Sequence, residues 1–257
     1  MVTTTNLVGY WKMDESSGDM IDAHGSDDGT VSGATQNSTG IINTGYSFDG
    51  TNDDVALALN DRTTNFTYNF WAYKTTAWSA TADKNNFLEH TGTGTTGILI
   101  GYSSVSGKPQ AVVHDGSSWH FIGSTTVSAN AWHMYTLTYD GTTVKYYIDG
   151  VNVGTSTQSV LTSLTSFKNL AHYGGSYCAC NIDEMGIWSR AITSTEVGDL
   201  YNSGSGLAYP FSVAGTKFQL NIGDTWKGVA AAKINIGDSW KDVTAIKQNI
   251  GDSWKTV

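Results

Sequence analysis

Residues 132–154 constrain the fold more than any other segment. Trp132-His133-Met134-Tyr135-Thr136-Leu137-Thr138-Tyr139 alternates with period two and runs into Asp140-Gly141. Val144-Lys145-Tyr146-Tyr147-Ile148 comes next, then Asp149-Gly150, then Val151-Asn152-Val153-Gly154. Asp-Gly between alternating runs marks a hairpin, because glycine adopts the positive φ such turns require without a Cβ penalty. The segment therefore predicts a three-strand antiparallel meander. Phe66-Thr67-Tyr68-Asn69-Phe70-Trp71-Ala72-Tyr73 and Gly97-Ile98-Leu99-Ile100-Gly101-Tyr102 also read as strands. Many short strands at this spacing point to an all-β sandwich. Composition agrees: of 257 residues 29 are Gly and 2 are Pro, and 14% are charged, which suits tight turns between strands.

Two segments break the pattern. Thr193-Ser194-Thr195-Glu196 fits a capping box, with Thr193 as N-cap and Glu196 at N3. Val197, Leu200 and Tyr201 supply an apolar stripe, and Asn202, Gly204 and Gly206 stop the helix, so one short helix is expected over 194–201. After Pro210 a 14-residue period sets in: Asn221-Ile222-Gly223-Asp224-Thr225-Trp226-Lys227 returns at Asn235–Lys241 and Asn249–Lys255. Each copy reads as strand, Gly-Asp turn, strand. Residues 1–210 are expected to form the sandwich and 211–257 a β-hairpin repeat element.

Charge and chemistry exclude several classes. Lys and Arg total 14 against 23 Asp and Glu, a formal charge of -9, so no basic stripe is available to neutralise nucleic-acid phosphates. No apolar run is long enough to span a membrane. The first residues lack the basic and apolar regions of a secretory signal. Cys178 and Cys180 are too close for an unstrained disulfide and too few for a zinc site, so packed, reduced thiols are expected.

The order of motifs resembles the laminin-G-like members of the concanavalin A-like lectin/glucanase superfamily. The opening strand and acidic turn lie in Val8–Gly18, a second turn in Asp22-Ala23-His24-Gly25, and an "FDG…DD" segment in Gly45–Val55. The central hairpin spans Trp132–Gly150, and Asn181–Ile192 resembles the closing strand before a short helix. The resemblance implies a concanavalin-like jelly roll. It does not fix a function, because such sandwiches host lectins, adhesins, hydrolases and spacers. It also implies a structural calcium, with Asp22 and Asp183 as ligands and Asp49 as a further oxygen donor. Simple Asx turns explain the same residues.

Catalysis is not expected. A glycosidase needs two convergent carboxyls, and the four glutamates, Glu15, Glu89, Glu184 and Glu196, do not form such a pattern. Asp183 and Glu184 are adjacent and would face opposite ways on a regular strand. For sugar binding, flat aromatic faces are the candidates: Trp78, Trp119, Tyr173 and Tyr177, all in loop-like surroundings. Trp11, Trp71, Trp132 and Trp188 read as core. In the tail, Ile222, Ile236 and Ile250 recur in register, as do Trp226, Trp240 and Trp254, which is more apolar bulk than one hairpin covers. Self-association, with a trimer preferred, or attachment to a larger particle would cover it. The tail resembles C-terminal tails of bacteriophage structural proteins. The reading is a virion structural, decoration or receptor-binding protein that displays a lectin-like domain to cell-surface glycans. The alternatives are a secreted or bacterial-surface carbohydrate-binding or adhesion module and, less favoured, a glycoside hydrolase.

Overall fold

In the computed structural model the described residues are 2–57, 64–79, 86–91, 96–102, 107–158 and 168–211, together with the backbone of the tail strands between 218 and 256. The chain divides into two compact units, Met1–Phe211 and Ser212–Val257.

The first unit opens with β1 (Leu7–Trp11), β2 (Gly29–Ser32), β3 (Thr35–Thr39), β4 (Thr44–Asp49) and β5 (Asp54–Leu57). Next in the chain are β6 (Phe66–Tyr73), β7 (Leu88–Thr91), β8 (Thr96–Tyr102), β9 (Gln110–Asp115) and β10 (Trp119–Ile122). The meander is β11 (Trp132–Tyr139), β12 (Thr143–Ile148) and β13 (Val151–Thr157). Then come β14 (Lys168–Leu170), β15 (His172–Tyr173), β16 (Ser176–Tyr177), β17 (Ala179–Trp188) and the helix α1 (Ser194–Tyr201).

These strands build an antiparallel sandwich. One sheet runs β13-β12-β11-β6-β17-β4-β3, with β1 also paired to β17. The other runs β10-β9-β8-β7-β14-β5-β2. Strand alternation sends one set of side chains into the space between the sheets. Phe66, Tyr68, Phe70, Tyr135, Leu137, Tyr139, Val144 and Tyr146 come from the first sheet, and Leu88, Ile98, Ile100, Ala111, Val113 and Ile122 from the second. All are buried. Cys178 and Cys180 join this core as free thiols, and burial pushes the Cys180 thiol up. The Asp149-Gly150 turn takes φ of 52° and 79°, the doubly positive geometry of a two-residue hairpin loop.

The outer face of the eight-stranded sheet carries a second core. Tyr10, Trp71, Met134, Tyr147 and Trp188 alternate outward and are covered by Val2, Ile192, and Val197 and Leu200 of α1. Leu207, Tyr209 and Phe211 pack on the same cluster. The helix is fixed by the capping box: Thr193 Oγ1 accepts from the Glu196 N–H at 3.2 Å, and Glu196 Oε2 accepts from the Thr193 N–H at 2.8 Å. Arg190 braces the same glutamate and donates to the Thr5 carbonyl at 3.0 Å. The helix ends where Asn202 turns left-handed at φ 46°. Trp132, expected in the core, is only partly buried, at the margin of this second cluster.

The second unit contains three two-stranded hairpins: β18 (Phe218–Ile222) with β19 (Thr225–Val229), β20 (Lys233–Ile236) with β21 (Ser239–Asp242), and β22 (Lys247–Asn249) with β23 (Trp254–Thr256). The 14-residue period thus carries one hairpin per repeat. In register Ile222 pairs with Thr225 and Ile236 with Ser239, which leaves two residues for each Gly-Asp connection.

Candidate functional site

Among the described residues no helix covers the outer face of the seven-stranded sheet, and a cleft forms there. Leu99 of β8 and Val112 of β9 alternate away from the core and make its floor. Trp119 and Phe121 of β10 stand beside them, with Phe121 paired to Val112 and Trp119 to His114. Tyr102 and Tyr173 complete the lining. The cavity measures about 130 Å³. That is below the roughly 300–1,000 Å³ of pockets that enclose drug-sized ligands. It suits a single ring held against flat walls. Trp119 is 44% exposed and Phe121 43%, among the few large apolar side chains left open on the described surface. The Tyr102 and Phe121 rings lie 6.0 Å apart, and the His114 ring meets Trp119 edge-on at 4.5 Å.

Local chemistry fixes Trp119. Asp115 Oδ1 accepts from the backbone N–H groups of Ser117 and Ser118, both at 2.8 Å, and from the Ser117 hydroxyl at 2.7 Å. Its other oxygen pairs with His120 Nε2 at 2.7 Å. Those hydrogen bonds hold the Asp115 carboxyl well below the usual carboxylate range. The result is a tight turn that launches β10 with Trp119 as its first residue. The β15–β16 hairpin brings Tyr173 to the same lining.

Two of the four aromatic candidates, Trp119 and Tyr173, therefore meet in one cleft. They lie on short strands, as does Tyr177, rather than in loops; the serine and glycine residues around them belong to short turns. Tyr177 packs against His172 at 4.7 Å and is not part of the lining. Trp78 lies elsewhere: it is half-buried against Phe87, with Lys74 Nζ 5.5 Å from its ring centre. Leu99, Tyr102 and Val112 are not distinguished by sequence context alone. The alternation Trp119-His120-Phe121-Ile122 is the signal that identifies Phe121.

The acidic candidates occupy separate places. Asp22 Oδ1 accepts from the N–H groups of Tyr10 and His24, both at 2.9 Å, and Oδ2 from that of Asp27 at 3.2 Å. Asp49 Oδ1 accepts from the Thr51 N–H at 2.7 Å, an Asx turn on the surface. Asp183 Oδ2 accepts from the N–H groups of Ile41 and Ile42 at 2.8 and 3.0 Å. Among the described residues no group of three or more His, Cys, Asp or Glu side chains is arranged to hold a metal ion. The three carboxylates thus do not converge on one site.

Asp183 and Glu184 depart from regular strand geometry. Glu184 has φ 50° and the β17–β6 register slips between Asp183 and Gly186. This bulge buries both carboxyls, instead of presenting one to each face, at 0% and 2% exposure. It marks the point where the neighbour of β17 changes from β4 to β1. Burial, helped by the charge of Glu184 and opposed by the amides of Ile42, Ile41 and Glu184, pushes Asp183 up to about 9. Burial also raises Glu184 to about 7, against the Tyr10 hydroxyl that donates to it at 2.5 Å. Glu15 accepts from the Tyr46 hydroxyl at 2.6 Å, and Glu196 serves the helix cap. Glu89, 5% exposed, pairs in register with Leu99 of the cleft floor.

Of the assembly candidates, Ile222, Trp226, Ile236, Trp240 and Trp254 lie on the hairpin strands, where Asn221 pairs with Trp226, Asn235 with Trp240 and Asn249 with Trp254. Ile250 lies outside the described residues.

The family profile described as the concanavalin A-like lectin/glucanases superfamily matches residues 49–198. No curated protein sequence matches the chain. Among solved structures, domain 4 of AbnA, an extracellular arabinanase of Geobacillus stearothermophilus, in complex with arabinotriose, superposes with a TM-score of 0.61 at 17% identity. That match covers 76% of this chain and 97% of that one. The structure describing ganglioside-dependent cell entry of botulinum neurotoxin type C matches with a TM-score of 0.61 at 14% identity, over 78% of this chain and 51% of that one. Trypanosoma rangeli sialidase in complex with sialic acid matches at 0.58 and 13% identity, over 80% of this chain and 34% of that one. The chain thus spans about half the length of the toxin chain and a third of the sialidase. At these identities the likeness is one of fold. No described helix is long and apolar enough to cross a membrane.

Proposed function

The chain belongs to the concanavalin A-like lectin/glucanases superfamily, and from that membership we propose that it is a non-catalytic glycan-binding protein whose ligand sits on the outer face of the seven-stranded sheet. One observation carries this reading: Trp119, Phe121, Tyr102 and Tyr173 converge on an open cleft. A sugar ring has an apolar C–H face that stacks on such walls. Membership and the likeness to structures described with arabinotriose and with gangliosides support the ligand class. A glycan array probed with the wild-type protein and with Trp119→Ala tests it. The expected result is binding by the wild type and a loss of up to about tenfold in the variant, since stacking on an aromatic ring is worth about 0.5–1.5 kcal/mol. Equal binding by both proteins would refute the site.

The tail supports a further reading of placement. Three hairpins at a 14-residue period are individually too small to be stable alone. We read residues 212–257 as an attachment or oligomerisation element, with a trimer preferred, that lets a particle such as a phage virion display the sandwich. The chain ended at Phe211 is expected to be a monomer by light scattering while the full chain is oligomeric. The same number of chains per particle for both would remove this reading.

A further inference from the structure

We propose that Ser128 is an activated nucleophile, a modification site that takes an acyl group from an activated ester, with His133 as its base and Asp149 as the group that orients the base. The site is separate from the glycan-binding reading, because none of its three residues lines the cleft. They come from three places in the chain. Ser128 is an exposed residue of the segment between β10 and β11, His133 is the second residue of β11, and Asp149 opens the turn between β12 and β13. In space they form a relay: Asp149 Oδ2 lies 2.7 Å from His133 Nδ1, and His133 Nε2 lies 3.1 Å from Ser128 Oγ. A nucleophile within hydrogen-bond reach of a base that is itself held by a third group is the arrangement that activates a serine hydroxyl, whatever the order of the three in the chain.

Each link of the relay has one sense. Asp149 is fixed by Met134: its N–H donates to the Met134 carbonyl and its Oδ1 accepts from the Met134 N–H, both at 2.9 Å. Its carboxylate only accepts, so the proton on the neutral imidazole sits on Nδ1. The lone pair is then on Nε2, where the Ser128 hydroxyl donates to it. The Ser128 carbonyl, also 3.1 Å from Nε2, has no proton to give and is bonded only when the ring is protonated. The hydrogen bond to Asp149, opposed by burial and helped by the Asp149 charge and the Ser128 backbone, raises His133 above its ordinary value of 6.5. The ring therefore becomes a base once the pH passes that raised value. The His133 side chain is 14% exposed, while the serine it serves faces solvent, so a reagent reaches Oγ with the base shielded behind it. In the step itself Ser128 Oγ bonds to the acyl carbon, its proton passes to His133 Nε2, and the ester C–O bond breaks to release the leaving oxygen as an anion. The Asn130 N–H, two residues on, is spent on the Lys74 carbonyl at 2.7 Å and does not serve an oxyanion. The transfer proposed is one acyl group per chain, ending at the serine ester.

The full chain is treated with p-nitrophenyl acetate, and peptide mass spectrometry at successive times locates the acetyl groups. Hydroxylamine removes a serine ester and leaves a lysine amide, which separates the two products. Acetylation of Ser128 is expected to be at least about a hundredfold faster in the native chain than in the urea-denatured one, the scale of a general-base contribution. Its rate is expected to rise with pH in a single titration with a midpoint above 6.5 and then to level off. Asp149→Asn, whose native melting transition is checked first, is expected to slow it at least about tenfold by releasing the imidazole orientation. Ser128→Ala keeps the backbone carbonyl beside His133, so it is expected to melt as the wild type does and to lose the ester. Equal rates in native and denatured chains, esters spread over Ser117, Ser118 and Ser124 as readily as Ser128, or a rate without a histidine-range titration would overturn the proposal, and none of these results bears on the cleft.

Discussion

The two outer faces of the sandwich use the same kind of residue for opposite ends. On the eight-stranded sheet, Trp71 and Trp188 alternate outward and are buried by α1 and by the segments at either end of the first unit. Trp71 is 2% exposed and stacks on Tyr201 at 5.7 Å. On the seven-stranded sheet, Trp119 and Phe121 alternate outward in the same way, but no described helix covers them. The contrast originates in the segment after each strand. β17 leads directly into a capped, amphipathic helix that folds back over its own sheet, whereas β10 leads to a segment without regular structure before β11. An aromatic residue on a strand is therefore core or open surface according to its neighbours in space.

Breaking the covered face should have the largest effect. Trp71→Ala removes a ring enclosed by Met134, Tyr201 and α1. It is expected to cost about 3–5 kcal/mol by chemical denaturation and to leave glycan affinity per folded molecule unchanged. The bulge behind that face sets the next effect. Asp183 and Glu184 have folded-state values of about 9 and about 7, above those of an unfolded chain. The native state therefore holds protons the unfolded state has released, and stability falls as pH rises from about 4 to about 9. Asp183→Asn, which cannot titrate, is expected to flatten that decline in thermal melts across the range. An unchanged slope would count against the burial of this carboxyl. Glu196 works in the opposite sense: held down to about 2 chiefly by Arg190, it contributes above the ordinary carboxyl range and loses that contribution as pH falls toward 2. The open face should give the smallest stability effect. Phe121→Ala, at 43% exposure, is expected to cost less than about 1 kcal/mol while weakening glycan binding.

Local signals account for the parts of the molecule that are legible in the sequence. β6 and β11 begin and end where their alternation does, and α1 occupies 194–201 because the capping box and the αL stop are both encoded within a dozen residues. Trp11, Trp71 and Trp188 are buried as their strand context implies. The cleft is legible only in part. Its lining comes from β8, β9, β10 and β15, which are brought together by sheet order and not by spacing. Trp119 reads as a loop residue from sequence because β10 is four residues long and begins after a serine turn. The bulge at Asp183-Glu184 is invisible there because a two-residue alternation assumes regular backbone, and the left-handed Glu184 is imposed by the change of partner from β4 to β1.

The contrast between the faces can be read in one experiment. In a nitrogen-15 correlation spectrum, the indole N–H signals of the sandwich tryptophans are assigned and tracked during titration with the oligosaccharide that binds best on the glycan array. The Trp119 signal is expected to move progressively to saturation, while those of Trp11, Trp71 and Trp188 stay in place. Movement of the Trp71 or Trp188 signals with Trp119 unmoved would place the ligand on the covered face and contradict the account.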